Sequence, residues 1–197
     1  MMNKTLGLVV VAMGLSFAVP ASAVTLEFQP VSSQVMVGEQ ATVDVVVSDL
    51  GGALVGGYNF SVSWDPSLFG FVDLTFGSFL DGPTDSFQQV NVAPGSAQAI
   101  EVSVGPLSNQ DGFSPFSLFS FTLDALAMGT SSLDFFGNII PNNDYLIDDR
   151  GSILATTPIS GSLRVGVSEP SLLGLMLLGG GVMAGVGRRR RRVTATA

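Results

Sequence analysis

The sequence predicts an all-β protein, an antiparallel β-sandwich or jelly roll, from three observations. Residues 24–167 contain many short segments in which apolar and polar residues alternate, which is the period of a half-buried strand. Turn-forming Gly, Pro and Asp residues separate these segments. No stretch of this region has a long 3.6-residue apolar period, so we expect helices to be short at most. Many short strands with frequent turns pack as two sheets.

The clearest strand comprises residues 58–64, where Tyr58, Phe60, Val62 and Trp64 alternate with Asn and Ser. One face of this strand is therefore aromatic and the other polar. Trp64 and Tyr58 could stack on a sugar ring, but a lone Trp inside an alternating strand favours a place in the core. Half-buried strands are also predicted at 43–47, at 100–104 (where Ile100, Val102 and Val104 alternate with Glu101 and Ser103), at 119–123 and at 163–165.

Turns between the strands are marked by short motifs rich in Gly, Pro and Asp. They are Val37-Gly38-Glu39, Gly51-Gly52, Asp65-Pro66, Asp81-Gly82-Pro83, Pro94-Gly95, Asp111-Gly112, Met128-Gly129 and Arg150-Gly151. These residue types supply the backbone conformations that tight turns need. The spacing of the motifs predicts one domain that is long enough for a sizeable core.

The amino-acid composition excludes most kinds of catalytic site. The chain has no His and no Cys, which excludes Ser-His-Asp and Cys-His nucleophilic sites, disulfides, thiol redox chemistry and the usual zinc sites. Paired carboxylates remain the catalytic option, and an enzyme acting on glycosides would need an acid and a base across a groove. No pair stands out among the many acids, so we expect a non-enzymatic protein.

Charge divides the chain into three parts. Residues 1–23 carry a net charge of +1, residues 24–167 carry −13 and residues 168–197 carry +4. The negative middle part repels phosphate backbones, so we expect no nucleic-acid partner. The high share of hydrophobic residues, 46%, directs attention to the two ends of the chain.

Residues 1–23 have the organisation of a secretory signal peptide. Lys4 precedes an apolar run at 6–19, and Pro20 and a small-x-small cleavage site ending at Ala23 follow. A retained membrane helix is the alternative, but the cleavage site favours removal. We therefore expect the Sec translocon and signal peptidase to act on the chain, which is exported across a bacterial inner membrane.

Residues 168–197 have the organisation of a membrane-inserted segment. Residues 171–187 are uncharged, and a helix of this length spans about 25 Å, slightly less than a hydrocarbon core of about 30 Å. The cluster that follows consists of Arg188, Arg189, Arg190, Arg191 and Arg192. Such a cluster predicts a transmembrane helix with its C-terminal end in the cytoplasm and the acidic part of the chain on the outer face.

This arrangement resembles the PEP-CTERM sorting signal of Gram-negative bacteria. Glu169 and Pro170 precede the apolar helix and the Arg cluster as they do in that family, although Ser168 stands where the family usually has proline. The resemblance covers residues 168–197. It implies transient residence in the inner membrane, processing by an exosortase (a membrane-embedded Cys protease-like transpeptidase), and delivery to the cell surface or the exopolysaccharide matrix. A permanent anchor is the alternative, but the many glycines of 171–187 do not favour it.

A second resemblance covers most of residues 24–166. The early strand pair, the turn Val37-Gly38-Glu39, and the alternating strand that ends in Asp65-Pro66 stand in the order found in cohesin-like domains. The stretch 145–154 resembles the last hairpin of that fold. Cohesins of cellulosomes bind dockerins on a sheet face, so the resemblance implies a binding role. It does not identify the partner, for which a polysaccharide and a dockerin-like protein are the two candidates.

One group of acids could hold a metal ion. Asp144, Asp148 and Asp149 cluster beside Asn142 and Asn143 and offer the oxygen ligands that Ca²⁺ prefers. Their spacing does not match the EF-hand pattern, so a solvated acidic turn is the favoured interpretation. We therefore expect no cofactor, with Ca²⁺ at these residues as the alternative.

Together these features predict a signal peptide (1–23), a cohesin-like β-sandwich domain (24–167) and a sorting signal (168–197). The predicted function is that of a secreted binding or structural module at the cell surface or in the extracellular matrix. Two alternatives remain, a periplasmic binding domain anchored in the inner membrane and a carbohydrate-active enzyme that uses carboxylates.

Overall fold

The computed structural model describes residues 23–80, 84–110, 112–135 and 144–166. Glu169, Pro170 and the five arginines of 188–192 lie outside the described residues. Within the described ranges, no helix is long and apolar enough to cross a bilayer. The strands are β1 (Val24–Gln29), β2 (Ser32–Met36), β3 (Gln40–Ser48), β4 (Val55–Ser63), β5 (Phe69–Phe76), β6 (Ser86–Ala93), β7 (Ser96–Ser103), β8 (Phe116–Ala125), β9 (Gly129–Phe135), β10 (Tyr145–Asp148), β11 (Ile153–Leu154), β12 (Thr156–Ile159) and β13 (Gly161–Gly166), with one 3₁₀ turn (Ser108–Gln110).

The strands form two sheets that pack face to face, which confirms the predicted all-β sandwich. One sheet has five strands in the order β12-β1-β3-β8-β5. The other sheet has eight strands and contains the path β11-β10-β4-β9-β13-β2. Both β10 and β9 pair with β4, at its first and last residues respectively. On the opposite edge of β4 lies β7, and β6 pairs with the outer edge of β7. Two pairs, β1 with β12 and β2 with β13, are parallel. The expectation of purely antiparallel sheets was therefore wrong, because β1 and β2 each pair with a strand from the end of the domain.

The core lies between the sheets and contains the aromatic face of β4, as predicted. Tyr58 is fully buried and its ring stacks on Phe119 of β8. Trp64 is 6% exposed, its indole Nε1 donates to the carbonyl oxygen of Phe69 (3.0 Å), and its ring stacks on Phe121. Its indole is thus a core group and offers no platform for a sugar ring.

In β7 the larger apolar residues face outward, which is opposite to what the alternating sequence pattern predicts. Ala97, Ala99 and Glu101 face the core, and Glu101 is 0% exposed, whereas Ile100 and Val102 face outward. The small alanines leave room for the aromatic residues of β4, because Ala99 lies directly opposite Phe60 in the register. Packing volume and the hydrogen bonds of Glu101 therefore outweigh the hydrophobicity of the outward residues.

The two ends of the sandwich hold different parts of the chain. At one end, here called the entry end, β1 begins at Val24, whose backbone N donates to the carbonyl oxygen of Ala155 (2.9 Å). The registers place the start of β6, the end of β7 and the β10–β11 turn at this end. At the other end, the exit end, β13 finishes at Gly166, which pairs with Met36. The β2–β3 and β8–β9 turns lie beside it.

Candidate functional site

Three rows of side chains on the outer face of β6, β7, β4, β10 and β11 are all uncharged. We call this surface the uncharged face. Its first row across the strands is Phe87, Val102, Gly57, Ile147 and Ile153, its second row is Gln89, Ile100, Asn59 and Tyr145, and its third row is Asn91, Gln98 and Ser61. This is unusual in a domain whose sequence carries a net charge of −13.

The first row is an exposed apolar strip at the entry end. Phe87 is 58% exposed and Ile153 is 77% exposed, at the two ends of the strip. Val102 and Ile147 are half-buried between them. Gly57 lies at the centre, where an added Cβ would come within 2.9 Å of the Glu101 carbonyl oxygen and 3.2 Å of the Val102 side chain. Gly57 thus lets β4 and β7 approach closely at the centre of the strip, where the Val102 side chain packs over the backbone.

A cleft of about 250 Å³ continues the strip toward the entry end. Val102, Leu107 and Ile147 line one part of it, and Asp148 and Asp149 line another. A partner that covers the apolar strip would therefore also meet two acidic side chains at the entry end.

Side-chain amides connect the next strands in a head-to-tail chain. Gln89 donates to Asn91 (3.1 Å), Asn91 donates to Gln98 (2.8 Å) and Gln98 donates to Asn59 (2.9 Å). Each hydrogen bond fixes the orientation of two amides, so the polar part of the face is preorganised. A preorganised surface loses less entropy when it binds a partner.

A buried polar network supports the uncharged face from below. One Glu101 oxygen, Oε1, accepts hydrogen bonds from Ser86 (2.8 Å) and Gln88 (2.7 Å), and the other, Oε2, lies 2.9 Å from the Tyr58 hydroxyl. The same hydroxyl lies 2.9 Å from the carbonyl oxygen of Leu118 in the opposite sheet. Burial, with the Glu101 carboxylate beside it, raises the pKa of Tyr58 well above its ordinary value. The network joins β6, β7 and β4 to β8.

Comparisons with known proteins agree with this architecture. Residues 24–112 match the family model of the cohesin domain. The sixth cohesin of scaffoldin B from Acetivibrio cellulolyticus, solved in complex with a Cel5 dockerin mutant, is 13% identical to the chain and has a TM-score of 0.60. That alignment covers 74% of this chain and 100% of the solved one. The domain has the cohesin fold.

Two other cohesins show how widely this fold occurs. A non-cellulosomal cohesin from the archaeon Archaeoglobus fulgidus is 18% identical, with a TM-score of 0.54 over 77% of this chain and 95% of that chain. A cohesin module of a family 33 glycoside hydrolase from Clostridium perfringens is 13% identical, with a TM-score of 0.56 over 74% of this chain and 97% of that chain. No curated protein matches the chain. The predicted cohesin-like domain is thereby confirmed.

The three acids of the candidate Ca²⁺ site lie at the two ends of β10, with Asp144 before the strand and Asp148 and Asp149 at its end. Asp148 shapes the β10–β11 turn, since its Oδ1 accepts from the backbone N of Arg150 (2.9 Å) and of Ser152 (2.7 Å). Asp149 is exposed in that turn, and Asp144 lies before β10, beside Ser61. In the part of the chain that the structure describes, no three acidic groups come together as metal ligands. Asn142 and Asn143 lie outside that part, and Ca²⁺ at these residues stays the alternative to a solvated acidic turn.

Asp144 is an ionisable group at the edge of the uncharged face. Its Oδ1 accepts from the backbone N of Ser61 (3.2 Å), while its Oδ2 is buried with no hydrogen-bond partner among the described residues. Burial raises the pKa of Asp144 from 3.8 to about 6, and the hydrogen bonds from Ser61 oppose this change only in part. The cohesin-like domain therefore binds a proton at Asp144 in a pH range where the unfolded chain has released it.

Asp144→Asn should remove part of the pH dependence of stability. Below pH 3.8 the carboxyl is protonated in both states, and between 3.8 and about 6 only the folded state keeps the proton, so wild-type stability falls as pH rises through this window. The stability of the variant relative to wild type should thus rise from pH 4 to 6 and then stay constant. Urea unfolding at several pH values measures this, with Asp149→Asn as the exposed control. A difference that does not change with pH would contradict the assignment.

Sequence patterns did not identify the uncharged face. Its residues come from five strands that are separated by up to 96 positions, from Gly57 to Ile153. Only the register brings Phe87, Val102 and Ile147 into one row. The one signal in the sequence was the absence of charged residues at alternate positions of 87–93 and 96–102.

Proposed function

We propose that this protein is an exported, non-catalytic binding module that holds a partner protein on the uncharged face. The observation that carries the proposal is the exposed apolar strip of Phe87, Val102, Ile147 and Ile153. An exposed apolar strip beside rows of uncharged polar side chains marks an interaction site. Charged side chains are also depleted at the centres of protein interfaces.

A dockerin-like protein is the partner class that the comparisons favour. Several solved structures with the same fold are described as cohesin–dockerin complexes, among them cohesins from Acetivibrio cellulolyticus and Clostridium thermocellum. The strip crosses five strands, about 19 Å at the usual strand spacing, which is wide enough for a helix of about 10 Å diameter. We infer that the partner presents an apolar helical surface to the strip.

A neutral polysaccharide is the second candidate ligand. The amide chain of Gln89, Asn91, Gln98 and Asn59 presents both donors and acceptors beside Tyr145. Sugar hydroxyl groups can pair with such amides. The apolar strip is the larger exposed feature, so we place the partner protein first.

Delivery of the module depends on the two ends of the sequence. We infer that signal peptidase cleaves after Ala23, since Val24 begins β1 directly, and that an exosortase recognises Glu169 and Pro170. The domain then leaves the inner membrane for the cell surface or the extracellular matrix of a Gram-negative bacterium. Mass spectrometry of the mature protein should find the N-terminus at Val24 and no peptide from residues 171–187. Recovery of intact 171–187 in cells with an active exosortase would instead support permanent anchoring.

A pull-down tests the binding function. The immobilised protein is incubated with an extract of extracellular matrix from the producing cells, and bound protein and bound polysaccharide are both identified. The expected result is one enriched protein that also binds the purified module at a single site. Enrichment of polysaccharide alone would contradict a protein partner and support the neutral polysaccharide as the ligand. Enrichment of neither would indicate a structural role.

A further inference from the structure

A second exposed apolar cluster lies at the exit end, at the opposite end of the sandwich from the apolar strip. We call it the exit cluster. Its members are Met36, 42% exposed, Val37, 50%, Leu126, 53%, and Met128, 62%. The proposed partner site lies at the entry end and does not use these residues.

Hydrogen bonds hold the two turns of the exit cluster together. The backbone N of Gly38 donates to the carbonyl oxygen of Ala125 (2.8 Å), and the N of Ala125 donates to the carbonyl oxygen of Glu39 (2.9 Å). The backbone N of Leu126 donates to the carbonyl oxygen of Leu68, in the turn that precedes β5 (2.8 Å). The apolar tips therefore form one fixed surface at the end of the sandwich.

The chain leaves the described domain from the middle of this surface. Gly166 ends β13 and pairs with Met36, and Val165 pairs with Gly129, the neighbour of Met128. Only residues 167–170 separate Gly166 from the uncharged segment 171–187. A fully extended chain of this length reaches about 18 Å. If 171–187 spans a bilayer, the exit end must lie within that distance of the start of the span.

We propose that the exit end rests on the outer surface of the inner membrane until the chain is released, with Val37, Leu126 and Met128 entering the headgroup region. This proposal rests on the membrane insertion of 171–187 that forms part of the proposed function. The headgroup layer is about 5–8 Å thick on each side of the hydrocarbon core, so a short connection brings the loop tips to it. The contact would place Glu169 and Pro170 at the membrane surface, where a membrane-embedded processing enzyme acts.

The charges around the exit cluster favour a zwitterionic lipid surface. Glu39 Oε2 accepts from the backbone N of Met36 (2.8 Å), and Asp65 Oδ1 accepts from the backbone N (2.9 Å) and the hydroxyl (2.6 Å) of Ser67. Both carboxylates are thus engaged by their own turns. With Asp124 beside Ala125 there are, among the described residues, three acids near the exit cluster against one exposed base, Arg164. The net negative charge opposes an anionic surface, so lipids without net charge are the expected contact.

Fluorescent labels at single cysteines test the contact in the full chain, which has no native Cys. Val37→Cys and Met128→Cys carry the label at the exit end, and Phe87→Cys and Ile153→Cys provide controls of similar exposure at the entry end. Each protein is reconstituted in phosphatidylcholine vesicles that contain spin-labelled lipid. We expect labels at 37 and 128 to lose most of their fluorescence by quenching, and labels at 87 and 153 to keep it.

Two controls separate this proposal from the proposed function. Resistance to alkaline extraction from the vesicles reports insertion of 171–187 independently of the labels. An inserted chain whose exit-end labels are not quenched would overturn the membrane contact and leave the delivery route intact. Exit-end labels that shift to the blue without quenching would show that a second copy or another segment covers the cluster, which also overturns the proposal. Extraction of the chain at alkaline pH would overturn both insertion and contact.

Discussion

Glu101→Ala is expected to lower the free energy of unfolding by about 3 kcal/mol. The change removes acceptors from Ser86, Gln88 and Tyr58 and leaves a cavity between the sheets. The Tyr58 hydroxyl keeps the Leu118 carbonyl oxygen as an acceptor, so the expected loss combines the hydrogen bonds to a charged acceptor with the packing lost around a fully buried side chain. Urea unfolding followed by the fluorescence of Trp64 measures the difference.

Glu101→Gln is the matched control and should cost much less. The Tyr58 hydroxyl has one proton but lies 2.9 Å from both Glu101 Oε2 and the Leu118 carbonyl oxygen. An amide nitrogen at Oε2 could donate to the hydroxyl, which could then donate to Leu118, while the amide oxygen accepts from Ser86 and Gln88. Equal destabilisation by both variants would show that the hydrogen bonds of the network do not stabilise the fold in this way.

Charge introduced into the apolar strip should weaken partner binding. Phe87→Asp and Ile153→Asp are each expected to weaken the complex by about 30-fold, or ~2 kcal/mol, because an interface then has to desolvate a carboxylate. Both side chains are mostly exposed in the free protein, so the free energy of unfolding should change little. Titration calorimetry with the isolated partner measures the affinity.

Val72→Asp provides the control for this experiment. Val72 is an exposed apolar residue at the bulge of β5, in the other sheet. Its replacement adds the same charge to the same acidic domain and should leave the affinity unchanged. Equal weakening by Val72→Asp would mean that net charge, and not the strip, controls binding.

The fold class could be predicted from the sequence because alternating apolar residues and turn motifs are short-range patterns. Residues 58–64 alternate with large aromatic residues on one side, and that side is buried. The Val37-Gly38-Glu39 and Pro94-Gly95 turns are where the motifs predicted them, with positive φ at Gly38 and Gly95. At Gly95 an added Cβ would also approach the Trp64 carbonyl oxygen to 2.9 Å.

Local sequence patterns do not predict which strands pair when they are far apart in the sequence. The parallel pairing of β1 with β12 joins residues about 130 positions apart in the sequence. The inward position of Glu101 depends on Tyr58 and Gln88, which come from the two strands that flank β7. Both features are properties of the assembled sheets, so the uncharged face emerged only from the structure.

The two exposed apolar surfaces lie at opposite ends of one sandwich. The strip is near the entry end and the exit cluster surrounds Gly166, and the eight residues of β7 separate these ends by about 25 Å. A domain that touches the membrane at its exit end would thus keep its partner site directed away from the bilayer. Partner binding and membrane residence are therefore geometrically compatible.

Site-specific photocross-linking tests the binding face most directly. A photoreactive phenylalanine derivative replaces Phe87 or Ile153 on the uncharged face, and Thr42 or Thr75 on the outer face of the five-stranded sheet. Irradiation in the presence of the partner should give cross-links from positions 87 and 153 and none from 42 and 75. Cross-links from 42 and 75, with none from 87 and 153, would contradict the assignment of the uncharged face as the partner site.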